Sequence, residues 1–254
     1  MNELFGLEGR TALITGGGTG LGRTFAKTLS KAGARVVICG RRVEPLEATV
    51  ADIEMAGGTA SCLTMDVTDP HNMATALDQA ASSGRIDILV NNAGVAGDQM
   101  LITETEDGWD RIMNANLKGA FMLAQAVARK MSADKKGGSI INISSILAST
   151  AQKGTGPYAA SKAALSHLTR NMAIEWGRYN IRVNAIAPGY FRTDMADDFA
   201  DSPMGEAMIM RAPIRRFGAP DELSGAILLL ASDAGAYMTG SVVTVDGGLS
   251  IPQI

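Results

Sequence analysis

Short β-branched and apolar runs recur along the chain, and longer stretches with apolar residues at every third or fourth position lie between them. The runs Thr11 to Thr15, Arg35 to Cys39, Ala60 to Met65, Ile86 to Asn91, Ser139 to Ser144, Arg182 to Ala187 and Ser241 to Val245 predict seven strands. Leu21 to Ala32 and Leu165 to Trp176 carry the 3.6-residue period of helices. Strands that are nearly continuous in apolar character, separated by helices, belong in a parallel sheet covered on both faces. The expectation is a doubly wound α/β fold of about seven strands. No linker, repeat or charge block divides the chain, so residues 1–254 are read as one domain.

One stretch breaks the pattern. Gly189 to Pro213 is long and irregular, and a loop of that length inside a compact domain is usually functional. It carries Met195, Met204, Met208 and Met210, flexible apolar side chains suited to a substrate lid. The competing reading is a pair of short surface helices with methionines filling gaps.

Composition narrows the classes. With 254 residues, 46% hydrophobic and 19% charged, the chain can bury a full core. The 23 basic and 26 acidic residues are intermixed and leave a net charge of -3, so no basic stripe tracks a nucleic-acid backbone. The apolar run Ala226 to Ala231 is far short of the roughly 18 residues a membrane span needs. Met1-Asn2-Glu3-Leu4-Phe5 is not a secretory leader, and a cytoplasmic protein is expected. Cys39 and Cys62 sit in apolar runs and are read as free buried thiols. His71 and His167 have no ligand at metal spacing, so no metal site is expected. The 29 glycines exceed the average usage of roughly 7%, and they cluster.

That cluster follows the first predicted strand: Gly16-Gly17-Gly18-Thr19-Gly20-Leu21-Gly22, with a helix after it. Glycines there let the backbone approach a pyrophosphate, and the helix N-terminus offers free N–H groups and the positive end of its dipole. A turn requiring positive φ explains one or two of these glycines, not five in seven residues. After the second strand, where a carboxylate normally accepts ribose hydroxyls in NAD sites, the chain reads Cys39-Gly40-Arg41-Arg42. Two guanidinium groups suit a ribose phosphate, so the expected cofactor is NADP(H). Glu44 turning back toward the ribose is the NAD alternative. Asp66-Val67 ends the third strand within reach of an adenine, and Asn91-Asn92-Ala93-Gly94 ends the fourth with small residues that permit close packing.

Tyr158 and Lys162 are four apart at the start of a helix and share a face. An ammonium roughly 5 Å from a phenol contributes about 3 kcal/mol at an effective dielectric of 20, which would lower a tyrosine by about two pKa units. Ser144-Ser145 closes the fifth strand, where a hydroxyl can hold a carbonyl for hydride attack.

With these residues in view, the chain resembles the short-chain dehydrogenases/reductases over essentially its whole length. Thr15-Gly16-x-x-x-Gly20-x-Gly22, Asn91 to Gly94, Asn116, Ser145, Tyr158, Lys162 and Pro188-Gly189 occur in the family's order and spacing. The resemblance implies a Rossmann-like fold and a catalytic set of Asn116, Ser145, Tyr158 and Lys162. Asn116, rather than nearby Asn114, would hold a relay water. It also implies cofactor contacts at Gly16, Thr19, Gly20, Leu21, Gly22, Arg41, Arg42, Asp66, Val67, Asn92, Ala93, Gly94, Tyr158, Lys162, Pro188, Gly189, Phe191 and Thr193. Phe191 departs from the family's usual β-branched residue.

The implied reaction is hydride transfer between NADP(H) and a ketone or secondary alcohol. Arg215 to Leu223 and Leu229 to Asp233 look like gluconate 5-dehydrogenases and 3-oxoacyl-carrier-protein reductases alike. Substrate contacts are expected from Val95 to Leu101, Ile146 to Pro157 and the lid. Gln152 and Lys153 favour a polar or anionic substrate, whereas Ile146, Leu147 and the lid methionines favour an apolar one. A carrier protein would dock on Arg129, Lys130, Lys135, Lys136 and Arg178. A non-catalytic dinucleotide sensor is the alternative of another class, although such a protein would show erosion of the catalytic set. The family also implies a homotetramer formed through Thr103 to Met131, Tyr158 to Arg178 and the last strand, with the apolar tail Leu249 to Ile254 buried against a neighbour.

Overall fold

In the computed structural model, which describes residues 2–82, 84–193 and 200–251, β1 (Thr11–Thr15) is buried at every position. Its side chains alternate between two apolar layers. Ala12 and Ile14 enter one core, with Val36, Ile38, Ile88 and Val90. Leu13 enters the other, with Val37, Cys39 and Leu89. A strand apolar on both faces therefore has helices on both sides, and each fully buried Leu, Ile or Phe contributes roughly 1.5–3 kcal/mol.

The remaining strands are β2 (Arg35–Gly40), β3 (Thr59–Thr64), β4 (Ile88–Asn91), β5 (Gly138–Ile143), β6 (Ile181–Pro188) and β7 (Val242–Val245). They form one sheet in the order β3-β2-β1-β4-β5-β6-β7, and every pairing is parallel. Chain direction across the sheet reverses between β1 and β4, the crevice where ligands of such folds bind. The fold is the expected Rossmann-like doubly wound sheet.

The short α1 (Asn2–Phe5) precedes β1. α2 (Gly20–Lys31) and α3 (Val43–Met55) cover the first face through Phe25, Leu29, Leu46 and Ile53. α4 (Pro70–Ser82), α5 (Glu106–Met113), α6 (Ala120–Ala133) and α7 (Gly156–Trp176) follow, and Leu77, Leu123, Val127 and Met172 fill the second face. Residues Asn114–Gly119, between α5 and α6, form a π-helical turn.

The segment after β6 holds one short helix among the described residues, α8 (Pro203–Ile209). Ser202 caps it, accepting from the Gly205 N–H at 3.1 Å. Met204 and Met210 are 67% and 60% exposed, so neither fills a gap. Met195 and residues 252–254 of the tail lie outside the described residues. The chain returns through α9 (Ser224–Ala231), whose Ile227 and Leu230 complete the first core. Both cysteines are free. Burial pushes the Cys39 thiol up to about 12, but Cys62 is only half-buried, because β3 is an edge strand. Among the described residues no group of metal-ligating side chains occurs, and no helix is long and apolar enough to cross a membrane.

A cavity of about 310 Å³ lies at the N-terminal edge of the strands. Its charges hold the fold together: Arg10 pairs with Asp233 at 2.6 Å, Arg85 pairs with Asp87, and Arg182 donates to the Leu230 and Ser232 carbonyls. The candidate chemistry sits at the opposite edge.

Candidate active site

The glycine loop leaves β1 at its C-terminal end. Gly16 adopts φ +67° and its N–H donates to the Cys39 carbonyl at 2.7 Å, which turns the chain across β2. A methyl group on Gly22 would overlap the Gly16 carbonyl oxygen, and one on Gly17 would strike Ile38. The loop's own folding thus requires more of these glycines than turn geometry alone suggests. Gly20 is different: at φ +51° it has, among the described residues, only Thr193 nearby, 3.7 Å from where a Cβ would stand. Thr193 of the post-β6 segment therefore lies against the loop.

Thr19 precedes α2 in extended geometry, without a side-chain cap, and the first turn holds no acidic residue. The first N–H groups of that helix have no intrahelical acceptor, so the cradle is open to a phosphate. Leu21 anchors it by packing on the core. Thr15 ties the loop to β4, accepting from the Asn92 and Ala93 N–H groups at 3.0 and 2.9 Å. Asn92 returns a bond to the Thr15 carbonyl at 3.0 Å.

Arg41 and Arg42 are exposed beyond β2 and form no ion pair among the described residues. Asp66 ends up beside them because the Met65 N–H donates to the Gly40 carbonyl. Burial opposes ionisation of Asp66, but bonds from the Thr68 N–H and hydroxyl and the Arg41 charge outweigh it and hold the carboxyl below its usual range. The Val67 carbonyl abuts Gly119 of the π-helical turn. An open phosphate cradle with two unpaired guanidinium groups fits a phosphorylated dinucleotide.

Two of the catalytic candidates meet at Gly94, where a Cβ would stand 3.1 Å from Asn116 Oδ1 and 3.5 Å from Lys162 Nζ. Asn116 is fully buried on the π-helical turn, a distortion common at functional sites. Its amide clamps Val95, accepting from the N–H at 2.7 Å and donating to the carbonyl at 2.9 Å. It also donates to Ser161 Oγ at 3.2 Å, and Ser161 donates to the Tyr158 carbonyl at 2.7 Å. Lys162 is 4% exposed, donates to the Ile143 carbonyl at 2.8 Å, and lies 5.7 Å from the Tyr158 ring centre. Ser145 holds the turn after β5 by accepting from the Leu147 N–H at 3.1 Å. Ser144 faces away, bonded to Ser166 at 2.6 Å.

The electrostatics differ from the sequence expectation. Burial raises the Tyr158 phenol, and its hydrogen bond with Ser145 offsets only part of this. Burial also holds Lys162 down at about 8. Lys162 is desolvated to the point where its own charge is costly, so without a cofactor it does not bring the phenol down. The site keeps Tyr158 protonated.

Beyond Pro188, which pairs with Val245, Gly189 packs on the Asp246 backbone and donates its N–H to the Val245 carbonyl at 2.9 Å. Phe191 pairs with Gly218 and buries its ring in the core, so its side chain is turned from the groove. Ile146 and Leu147 are 4% and 9% exposed, and they offer little apolar wall to a substrate. Sequence reasoning missed Tyr190, whose hydroxyl donates to Gln152 Oε1. The signal was a hydroxylated aromatic residue directly after Pro188-Gly189. It also missed Ser161, the link between Asn116 and the Tyr158 backbone.

A family model described as Enoyl-(Acyl carrier protein) reductase matches residues 16–250. Gluconate 5-dehydrogenase of Gluconobacter oxydans is 39% identical, with 98% of each chain covered. The 3-oxoacyl-acyl-carrier-protein reductase of Thermotoga maritima is 38% identical over 96% of this chain and 99% of its own. The crystal structure of a gluconate 5-dehydrogenase from Burkholderia cenocepacia, in complex with NADP and tartrate, superposes with a TM-score of 0.95 at 40% identity, covering 99% of both chains. Full-length matches at this identity, on a sheet of this order, make the chain an oxidoreductase of the short-chain dehydrogenase/reductase family.

Proposed function

We propose that this protein uses NADP(H) to interconvert a ketone and a secondary alcohol. The convergence of Ser145, Tyr158, Lys162 and Asn116 beside an open phosphate cradle carries the reading. The unpaired Arg41 and Arg42 and the NADP in the Burkholderia cenocepacia relative support the cofactor. When bound, the nicotinamide supplies or accepts the hydride. Ser145 holds the carbonyl oxygen, and Tyr158, kept protonated by its burial, donates to that oxygen as it becomes an alkoxide. Lys162, at about 8, exchanges protons near neutrality and replenishes the phenol. Asn116 fixes Val95 and, through Ser161, the backbone under Tyr158. Thr193 lies against the glycine loop, so the start of the segment after β6 borders the same groove.

Tyr158→Phe tests the assignment. Loss of the proton donor lowers kcat by about 100- to 10,000-fold, while NADPH binding, followed by cofactor fluorescence, persists. Near-normal turnover overturns it. Ketone-dependent consumption of NADPH by the wild type separates this reading from a sensor that binds without turnover.

A carrier-bound 3-oxoacyl thioester is the second reading, favoured by the Thermotoga maritima relative. Among its docking candidates, Lys130 is already held by Asp78 at 2.8 Å. The homotetramer is proposed on similar grounds: Trp109, Met122 and Ile174 are exposed on the helices expected at its interfaces. Light scattering giving a monomer mass overturns it.

A further inference from the structure

We propose that Gln152 is a substrate-binding residue, positioned by Tyr190, and that the pair selects ketones rich in hydroxyl and carboxylate oxygens over ketones carrying hydrocarbon. This rests on the ketone–alcohol activity proposed above.

Two rigid neighbours determine where Tyr190 stands. Gly189 cannot shift, because it packs on the Asp246 backbone, and the Tyr190 carbonyl accepts from the Gly218 N–H at 3.0 Å. The Tyr190 ring meets Phe217 edge-on, with centres 6.3 Å apart. From that place the phenol donates to Gln152 Oε1. Gln152 belongs to the loop that joins Ser145 to Tyr158, and its carbonyl accepts from Thr155 Oγ1 at 2.9 Å. Gln152 stands six residues before Tyr158 and Tyr190 directly follows Pro188-Gly189, so their bond joins the two segments that flank Tyr158 in the fold.

The chemistry follows from what the bond leaves over. With Oε1 engaged, the Gln152 amide cannot flip without losing the Tyr190 bond. Its Nε2 makes no hydrogen bond within the described residues, and Gln152 is exposed, so two N–H donors remain available to a ligand. Hydroxyl and carboxylate oxygens accept such bonds. A methylene chain cannot, and burying the amide against one leaves both donors unsatisfied. The apolar residues that would favour a hydrocarbon substrate, Ile146 and Leu147, are buried in the protein. Lys153, next to Gln152, is exposed and forms no ion pair among the described residues, which adds a positive charge suited to a carboxylate. The favoured substrate class is therefore a polyhydroxylated keto acid.

The test compares kcat/KM with NADPH for 5-keto-gluconate and for cyclohexanone in the wild type, Gln152→Glu, Gln152→Leu and Tyr190→Phe. Gln152→Glu keeps an acceptor for Tyr190 but replaces the donors with a negative charge, whereas Gln152→Leu removes the donors without adding charge. The ratio of the two kcat/KM values is expected to fall about tenfold or more in Gln152→Glu and Gln152→Leu, mostly through KM. A smaller fall is expected in Tyr190→Phe. An unchanged ratio in Gln152→Glu, or wild-type preference for cyclohexanone, overturns the proposal even though the enzyme is an active ketone reductase. A wild type inert toward every ketone fails the activity itself, and this inference with it.

Discussion

Lys162 carries its charge at a cost that can be measured. Its ammonium is buried, bonded to one carbonyl at 2.8 Å, and held down from 10.5 to about 8 by desolvation alone. Between those values the unfolded chain binds a proton that the folded chain does not, so this group makes stability rise as pH climbs from about 8 to 10.5. The penalty at pH 7 is about 3 kcal/mol and at pH 10 about 1 kcal/mol, a swing of about 2 kcal/mol. Lys162→Met keeps the unbranched stem and removes the charge. Allowing about 1–2 kcal/mol for the bond lost at the Ile143 carbonyl, the variant should be more stable than the wild type at pH 7 by about 1–2 kcal/mol. That advantage should disappear or reverse by pH 10. Urea unfolding of both proteins without cofactor, across pH 7 to 10, reads the difference, and groups that titrate equally in both proteins cancel. A difference that stays constant with pH would refute the idea that burial of the ammonium is costly. The variant should also be catalytically crippled, because the site retains this charge for its chemistry at the expense of stability.

Replacing Arg41 and Arg42 together by serine should weaken NADPH binding about 10- to 100-fold, since charge-assisted bonds to a ribose phosphate are lost. NADH binding should change little, and equal loss for both cofactors by fluorescence titration would show that the arginines serve only the fold. Gly22→Ala forces a methyl into the Gly16 carbonyl and should cost about 2–3 kcal/mol in urea unfolding. Gly225→Ala, in α9 with nothing within 4 Å, should instead gain about 0.5–1 kcal/mol.

The sheet was legible because its signal is local. β1 coincides with the expected strand, and the remaining strands shift by one or two residues at one or both ends. β4 starts at Ile88 rather than Ile86 because Asp87 serves the preceding turn: its carboxylate accepts from the Thr11 N–H, and its own N–H donates to the Thr11 carbonyl. α7 starts at Gly156, nine residues before the apolar period becomes visible at Leu165. Its first turns bury Ser161 and Lys162 instead of apolar side chains, so the catalytic half of the helix is silent in a hydrophobic pattern. The candidate site residues were named from their spacing and from the family resemblance, but their environment was not legible. The π-helical turn under Asn116 and the desolvation of Lys162 and Tyr158 arise from packing between segments far apart in sequence. Phe191 shows the limit from the other side: an aromatic residue among cofactor positions turned its ring into the core, against Gly218.

The strand order divides labour across the sheet. The phosphate cradle, Arg41 and Asp66 hang from β1, β2 and β3, whereas Ser145, Gln152, Tyr158 and Tyr190 stand on segments that follow β5 and β6. The two groups meet along the seam between β1 and β4, which Thr15 and Asn92 stitch together, and again where Thr193 lies against Gly20. Under the proposed function, the residues that choose the cofactor and those that choose the substrate fall largely on separate stretches of chain. A chimera joined between α4 and β4, retaining Thr15 and Asn92, should inherit its dinucleotide preference from one parent and its ketone preference from the other.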